Sequence, residues 1–174
     1  MKKILIVYGT RTGTTATAAQ LLCDRLKGRD FTLCTTEDAA SDPTGYDIVV
    51  MGGCIRYSKL YKPVREYLKK WDTVLATKQT GYFILCGYPD SAEEYYEKML
   101  TEEQAERAFD LACFGGEMVP SKAKNLWDKL ILKMERDHIL GGGDNGDQRA
   151  DAVLPTISEE NIAQFAGKLK QLSL

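Results

Sequence analysis

The sequence predicts an α/β fold in which a doubly wound, five-stranded parallel sheet, with strand order 2-1-3-4-5, carries helices on both faces. Short apolar runs of strand length recur along the chain, and stretches with helical periodicity alternate with most of them. A loop rich in threonine and glycine follows the first apolar run directly. Folds of this class hold their ligands at the carboxyl ends of the strands, so we expect the site there.

Five apolar runs are short enough to be buried strands, and each is bounded by polar or glycine-rich residues. The predicted strands cover residues 3–8, 31–35, 47–51, 81–86 and 109–115. The polar connection between the second and third strands, residues 37–45, is too short for a full helix. The other connections are long enough for the helical crossovers that parallel strands require.

Helix starts are marked by capping residues and by proline. A first helix follows the threonine-rich loop, and Pro63 opens a second one. Ser91 and Glu94 have the spacing of a capping box for a third helix that runs to about Arg107. Ser158 is in position to cap the last helix. We therefore expect one domain over residues 1–174, with an insertion at about 117–155 before the last helix.

Composition narrows the classes of function. The chain has 174 residues, 44% of them hydrophobic, and a formal net charge of -2, so nothing indicates a nucleic-acid surface. Its five cysteines are scattered and mostly inside apolar segments, as in reduced cytoplasmic proteins. The first residues lack a secretory signal pattern, and no apolar run approaches the ~18 residues of a membrane span. We expect a cytoplasmic protein.

The loop after the first strand combines hydroxyl side chains with a glycine. Its residues are Thr10, Arg11, Thr12, Gly13, Thr14 and Thr15. Threonine hydroxyls donate to phosphate oxygens, Gly13 lets the backbone close around an anion, and the next helix directs free N–H groups to the same place. Nucleoside triphosphate loops need a lysine, which is absent here, so the loop suits one terminal phosphate. The alternative is a threonine-rich turn that starts a helix.

The pattern Thr-x-Thr-Gly-x-Thr directly after the first strand resembles the FMN phosphate loop of the flavodoxin family. The resemblance implies a flavodoxin-like fold, with FMN bound non-covalently and its phosphate held by Thr10 to Thr15. It also implies a redox protein that moves electrons through the flavin.

A second glycine-containing segment follows the third predicted strand, and we expect it to form a loop at the same edge. It reads Gly52-Gly53-Cys54-Ile55-Arg56-Tyr57. Flavin N5 changes from acceptor to donor on protonation, so the Gly53–Cys54 peptide is the candidate for a compensating flip. Arg56 can favour an anionic reduced ring, and Tyr57 can stack on the ring. The alternative is a glycine turn with an exposed arginine.

The end of the fourth predicted strand is the candidate for the opposite wall of a flavin slot. Tyr88 either packs on the ring or forms the edge of the core. Together the two segments are expected to sandwich the ring, with contacts from Gly53, Cys54, Ile55, Arg56, Tyr57, Cys86, Gly87, Tyr88 and Asp90.

The segment from Gly52 to Tyr57 also resembles the corresponding loop of the menaquinone-dependent protoporphyrinogen IX dehydrogenases, a group of short flavodoxin-like FMN enzymes. Residues 127–134 and 141–149 lie where that group has an extra helix and a loop with paired glycines. The resemblance implies an oxidoreductase that passes electrons from a porphyrinogen-like molecule to a quinone or other acceptor. Arg56 and Tyr57 would then be catalytic. Residues 114–118 depart from the basic, aromatic-rich stretch of the group, which leaves the substrate open.

Two other functions stay open at this stage. One is a flavodoxin-type electron carrier between protein partners, which predicts an acidic docking rim that this charge balance supports weakly. The other is a binding or scaffold domain without FMN.

Residues 121–134 have the pattern of an amphipathic helix. Trp127, Leu130, Ile131 and Met134 share one face, and lysines 122, 124, 129 and 133 surround it. The pattern fits either an ordinary helix that covers the edge of the sheet or an interfacial helix that touches anionic lipid transiently. The second interpretation would place the protein at the periphery of the inner membrane surface.

Three formal motif matches lack the required context. Cys23 and Arg29 have phosphatase spacing, but Cys23 falls on the apolar face of a helix. Residues 141–146 match GxGxxG without a preceding strand. The acidic residues of the same glycine-rich segment lack the spacing of a calcium-binding loop. His138 is the only histidine, which excludes a metal centre built from several histidines. We expect no metal site.

Overall fold

The computed structural model describes residues 1–117, 126–139 and 154–174. Five parallel strands form its sheet in the order β2-β1-β3-β5-β6, which confirms the predicted order of 2-1-3-4-5. A short strand, β4, pairs with β3 in the antiparallel direction. The strands are β1 (Ile4–Tyr8), β2 (Phe31–Thr35), β3 (Ile48–Arg56), β4 (Lys59–Leu60), β5 (Gln79–Leu85) and β6 (Ala108–Cys113).

Helices cover both faces of the sheet, as the sequence predicts. One buried cluster packs α1 and α6 on one face, and a second packs α2 and α3 on the other. The helices are α1 (Thr14–Arg25), α2 (Lys62–Leu75), α3 (Ala92–Met99), α4 (Glu102–Arg107), α5 (Leu126–Ile139) and α6 (Glu159–Leu172), and single 3₁₀ turns lie at Ala39–Ser41 and Pro89–Ser91. None of the helices in the described ranges is long and apolar enough to span a bilayer.

The predicted third helix is two helices. Leu100 is buried in an extended conformation (φ -115°, ψ 149°) and interrupts the helix after α3. The predicted capping box at Ser91 and Glu94 is wrong, because the Ser91 side chain makes no capping hydrogen bond. The box that forms lies at the start of α4, where Thr101 and Gln104 bond each other reciprocally. Burial of Leu100 overrides the helical propensity of the segment.

The third strand is longer than predicted, and the loop expected from Gly52 onward is wrong. Strand β3 continues through both glycines to Arg56 before the chain turns back into β4. A Cβ on Gly52 would lie 2.0 Å from Phe83 Cζ, and one on Gly53 would lie 2.6 Å from Leu60 Cδ1. Close packing across the sheet therefore requires these glycines, and the chain does not turn there.

The insertion expected at about 117–155 lies largely outside the described residues. Within it, α5 is described, whereas the glycine-rich segment 141–146 and lysines 122 and 124 are not.

Substituting Gly52→Ala tests the packing explanation. The new methyl group would clash with the fully buried ring of Phe83, which stacks on Phe114 at 4.6 Å between centroids. We expect the free energy of unfolding in urea to fall by about 1–3 kcal/mol. Gly45→Ala is the matched control, because a Cβ there meets no atom within 4 Å. Equal stability of the two variants would contradict the explanation.

Candidate functional site

A cleft of about 200 Å³ lies at the carboxyl ends of β1, β3 and β5. Its floor and walls come from the loop after β1, the end of β3 with its turn, the end of β5, and part of α5. The lining residues are Arg11, Thr12, Thr14, Cys54, Ile55, Arg56, Tyr57, Ser58, Leu85, Cys86, Gly87, Tyr88, Tyr95, Gly116, Glu117, Ile131 and Leu132. The position is the edge at which the sequence predicts a ligand.

The loop between β1 and α1 is shaped by Gly13. This residue has φ 93° and ψ -17°, a left-handed conformation that glycine adopts without strain. Its N–H donates to Thr10 Oγ1 at 3.1 Å, which closes the loop on itself. No side chain in the described part of the structure caps α1, so the first N–H groups of the helix and its positive dipole end face the loop. This is the local geometry that binds anions.

Thr15 provides the clearest test of whether the loop suits an anion. Its side chain is 1% exposed, and its Oγ1 has no hydrogen-bond partner within the described part of the chain. The Cys54 thiol lies close to this hydroxyl, which lowers the pKa of the thiol against the larger, opposite effect of burial. Leaving a buried hydroxyl unpaired costs roughly 1–3 kcal/mol. A phosphate oxygen in the loop would remove that cost, so the residues fit a terminal phosphate.

Glu117 lies beside the loop between β1 and α1, although the sequence does not predict it there. The Thr14 hydroxyl donates to Glu117 Oε2 at 3.4 Å, which brings a carboxylate to the loop from 103 positions along the chain. Nothing local in the sequence signals this contact, because only the folded sheet brings the two segments together. A hydroxyl of the predicted phosphate loop thus already has an internal anion as its partner.

The turn after β3 presents one wall of the cleft. Tyr57 (φ 49°) and Ser58 (φ 58°) are both left-handed although neither is glycine. Two such residues form the tight turn that suits a two-residue hairpin, and the strain they carry is typical of functional sites. The Arg56 guanidinium lies 5.4 Å from the centroid of the exposed Tyr57 ring. The turn therefore holds a cation and an aromatic ring together at the rim of the cleft.

Gly53 and Cys54 lie inside the sheet. They pair with Ile84 and Leu85 of β5, and the Cys54 carbonyl accepts from the Tyr61 N–H at 2.9 Å. The flip predicted for the Gly53–Cys54 peptide therefore lacks the free loop on which the prediction depended. Burial raises the pKa of the Cys54 thiol, and the nearby Arg56 guanidinium partly offsets this. Cys54 is a neutral part of the wall at ordinary pH.

The opposite wall follows β5. Cys86, Gly87 and the half-exposed Tyr88 line the cleft, as the sequence predicts. Asp90 lies in the 3₁₀ turn and does not line the cleft. Tyr95 of α3 does line it, although no sequence signal pointed there.

Helix α5 divides its apolar residues between the cleft and the outside. Ile131 lines the cleft together with Leu132, which was not predicted on that face. Trp127, Leu130 and Met134 are 73%, 48% and 63% exposed. The predicted apolar face is therefore split, and three of its members have no cover from the described residues.

The structure brings most of the predicted site residues into one cleft. Thr10, Gly13 and Thr15 belong to the loop between β1 and α1 but do not line the cleft, and neither do Gly53 and Asp90. The lining residues that sequence reasoning missed are Ser58, Leu85, Tyr95, Gly116, Glu117 and Leu132.

Thr15→Val tests whether the buried hydroxyl is an unmet hydrogen-bonding group. In phosphate-free buffer, without any flavin, we expect the free energy of unfolding to rise by about 1 kcal/mol, because valine fills the same space without a polar atom to satisfy. Thr17→Val is the control, since the exposed Thr17 hydroxyl donates to the Gly13 carbonyl at 3.3 Å, and we expect no gain there. A clear loss of stability in Thr15→Val would mean that the hydroxyl is already satisfied.

Comparison with known proteins agrees with this architecture. Residues 5–142 match the family model described as a flavodoxin domain. A flavodoxin of Maridesulfovibrio salexigens is 30% identical over 115 residues, which cover 57% of this chain and 79% of that protein.

Two solved structures share the fold over the whole length of both chains. A short-chain flavodoxin associated with a non-canonical PDU bacterial microcompartment matches with a TM-score of 0.59 and 15% identity, covering 100% of each chain. The Fusobacterium nucleatum flavodoxin bound to flavin mononucleotide matches with a TM-score of 0.57 and 12% identity, also over 100% of each chain. Because the flavodoxin-domain model matches more than half of the chain, the chain belongs to the flavodoxin family.

Proposed function

We propose that this protein binds FMN non-covalently in the cleft and moves electrons through it. The observation that carries the proposal is the unpartnered Thr15 hydroxyl, buried behind a loop that is closed by Gly13 and faces the start of α1. Family membership supports the same cofactor, since the Fusobacterium nucleatum flavodoxin was solved with FMN.

The loop from Thr10 to Thr15 would hold the phosphate. Thr12, Thr14 and Thr15 offer hydroxyl donors, and the first turn of α1 offers N–H groups. Because lysine is absent and Arg11 is the loop's only cation, the loop suits one phosphate group and not a chain of them. The Glu117 carboxylate that accepts from Thr14 would have to give way to the phosphate.

The walls of the cleft would hold the ring. Tyr57 and Tyr88 present aromatic surfaces from two strand ends, and Ile55, Leu85 and Ile131 supply apolar contacts. Bound FMN supplies transfer of one or two electrons, which no side chain of the protein provides. The protein's part is to position the ring and to set its access and electrostatics.

Arg56 and Tyr57 are the residues that we propose to act on the reaction. A guanidinium at the rim favours negative charge in the cleft and would raise the reduction potential of the cofactor. The contact with the Tyr57 ring holds Arg56 in that position. Arg11, which also lines the cleft, adds to the same field, and Glu117 opposes it.

We favour an oxidoreductase that passes electrons to a quinone or another organic acceptor, in line with the resemblance to the protoporphyrinogen dehydrogenase group. The support is the make-up of the cleft, in which two arginines and the apolar residues Ile131 and Leu132 face the same space. An electron carrier between protein partners is the alternative. The exposed Tyr57 favours it, because a partner protein could reach the edge of the cleft there.

An anaerobic reductive titration of the FMN-reconstituted protein, followed by absorbance, tests both proposals. Reduction in a single two-electron stage is expected for the oxidoreductase, because arginines at the rim favour the fully reduced, negatively charged ring. Two resolved one-electron stages would favour the carrier. If no flavin stays with the protein after gel filtration, FMN binding itself is refuted.

We also propose that α5 touches membrane surfaces transiently, which would place the protein in the cytoplasm and at times at the inner membrane surface. The support is the exposure of Trp127, Leu130 and Met134 next to the exposed Lys129 and Lys133. Each lysine near anionic lipid contributes about 1 kcal/mol, which allows contact without permanent anchoring.

Co-sedimentation with anionic vesicles tests this contact. We expect Trp127→Glu to lower the bound fraction of the protein roughly tenfold, because an apolar side chain that would insert into the lipid is replaced by a negative charge that anionic lipid repels. Leu174→Glu is the control, since Leu174 is exposed at the other end of the chain. Equal, negligible pelleting of the wild type and Trp127→Glu would remove the membrane proposal.

A further inference from the structure

Two cysteines face each other beside the cleft. Cys86 directly follows β5, and Cys113 is the last residue of β6. Their Sγ atoms are 3.5 Å apart, within hydrogen-bonding distance for thiols. Cys86 also lines the cleft, so the pair lies beside the proposed cofactor site.

The sheet fixes this contact. Cys113 pairs in register with Ile84, and Cys86 lies two residues further along on the same face. The Phe114 N–H donates to the Ile84 carbonyl and the Cys86 N–H to the Gly115 carbonyl, both at 2.9 Å, which ties the two strand ends together around the thiols. The backbone therefore makes the two cysteines diagonal neighbours on one face of the sheet, and their side-chain conformations bring the sulfurs to 3.5 Å.

We propose that Cys86 and Cys113 form a thiol–disulfide redox site, which exchanges two electrons with low-molecular-weight disulfides and thiols of the glutathione class. A disulfide bond is about 2.05 Å long, so the sulfurs must approach by about 1.5 Å. Rotation of the side chains can supply part of this approach of the sulfurs. Both residues also lie at strand ends. The proposal concerns the thiols alone and does not depend on FMN.

The two thiols are suited to different roles. Cys113 is partly exposed, whereas Cys86 is 4% exposed. The Cys86 thiol donates to the Tyr88 carbonyl at 3.4 Å, and either thiol can be the donor in the hydrogen bond between the pair. The hydrogen bond with Cys86 lowers the pKa of Cys113 to about 7, and backbone hydrogen bonds add to this. The pKa of Cys86 is raised by the same hydrogen bond and by burial. Because Cys113 is the more exposed of the two, we assign it as the attacking thiolate, with Cys86 as the thiol that resolves the intermediate.

Other charged groups around the pair oppose the thiolate without cancelling the effect. Asp90, in the turn after β5, raises the pKa of Cys113. Burial raises the pKa of the Tyr96 hydroxyl, which donates to the Ala112 carbonyl at 2.7 Å, and Cys113 and Asp110 raise it further. Tyr96 therefore stays neutral next to the pair.

The proposed exchange with oxidised glutathione takes place in two steps. The Cys113 thiolate attacks one sulfur of oxidised glutathione, forms a mixed disulfide and releases one glutathione thiolate. The Cys86 sulfur, losing its proton to solvent, then attacks the Cys113 sulfur and displaces the second glutathione. The products are a Cys86–Cys113 disulfide and two molecules of reduced glutathione, and excess reduced glutathione reverses both steps.

The other cysteines provide an internal contrast. Burial raises the pKa of Cys23 to about 12 and that of Cys34 to about 11, and it also raises the pKa of Cys54. Buried thiols of this kind are inert in exchange. Oxidation should therefore be selective for one pair among the five cysteines of the chain.

The test is to equilibrate the full chain, with and without FMN, in glutathione buffers of rising oxidised-to-reduced ratio. Free thiols are trapped by acid and alkylation, and peptides are mapped by mass spectrometry. We expect a Cys86–Cys113 linked peptide that increases with the ratio and disappears on return to reduced buffer. Cys23→Ser, the control, should behave as the wild type. Because the glutathione equilibration needs no flavin, its result can be interpreted even if the protein does not bind FMN.

Two variants test the order of the steps. In Cys86→Ala, a glutathione adduct should accumulate at Cys113, and the apparent pKa of Cys113 alkylation should rise because the hydrogen bond with Cys86 is gone. In Cys113→Ala, neither a linked peptide nor an adduct at Cys86 should form. Results with the wild type alone can overturn the proposal. They would do so if the linked peptide is absent at the most oxidising ratio, or if other cysteines become linked.

Discussion

The parallel pairing of β1 with β3 is the constraint on which the rest of the structure depends. It sets Tyr8 opposite Gly52, and the Gly9 N–H continues the ladder by donating to the Gly52 carbonyl at 3.0 Å. A Cβ on Gly9 would lie 2.5 Å from Val64 Cγ2, so α2 packs directly under this junction. Because the strands end at one edge, the phosphate loop, the turn at Tyr57 and the end of β5 meet around a single cleft.

Several features of the cleft lower the stability of the folded protein when no ligand is bound. Among the residues that the structure describes, the Thr15 hydroxyl has no partner, a turn holds two left-handed residues and α1 has no side-chain cap, and each of these features costs free energy in the absence of a ligand. They lie within one site, and a phosphate with an aromatic ring would meet at least the first and third of these needs. This clustering links the local strain to binding.

Much of the fold could be predicted from the sequence because its signals are local. The order of the five parallel strands followed from alternating apolar runs, and the position of the loop at Thr10 to Thr15 beside the cleft followed from six consecutive residues. The errors came from distant packing. Gly52 looks like a turn signal until Phe83 is placed against it, and Leu100 looks helical until its burial is known. Glu117 reaches Thr14 only through the completed sheet, so no short motif could reveal it.

The central claim is that a lysine-free loop of hydroxyls and amides binds the phosphate of FMN. The most direct measurement is a fluorescence titration of the wild-type protein with FMN and, in parallel, with riboflavin, which has the same ring and no phosphate. Two charge-assisted hydrogen bonds are worth on the order of 3 kcal/mol, so FMN should bind roughly a hundredfold more tightly than riboflavin. Equal affinities for the two compounds would contradict the account.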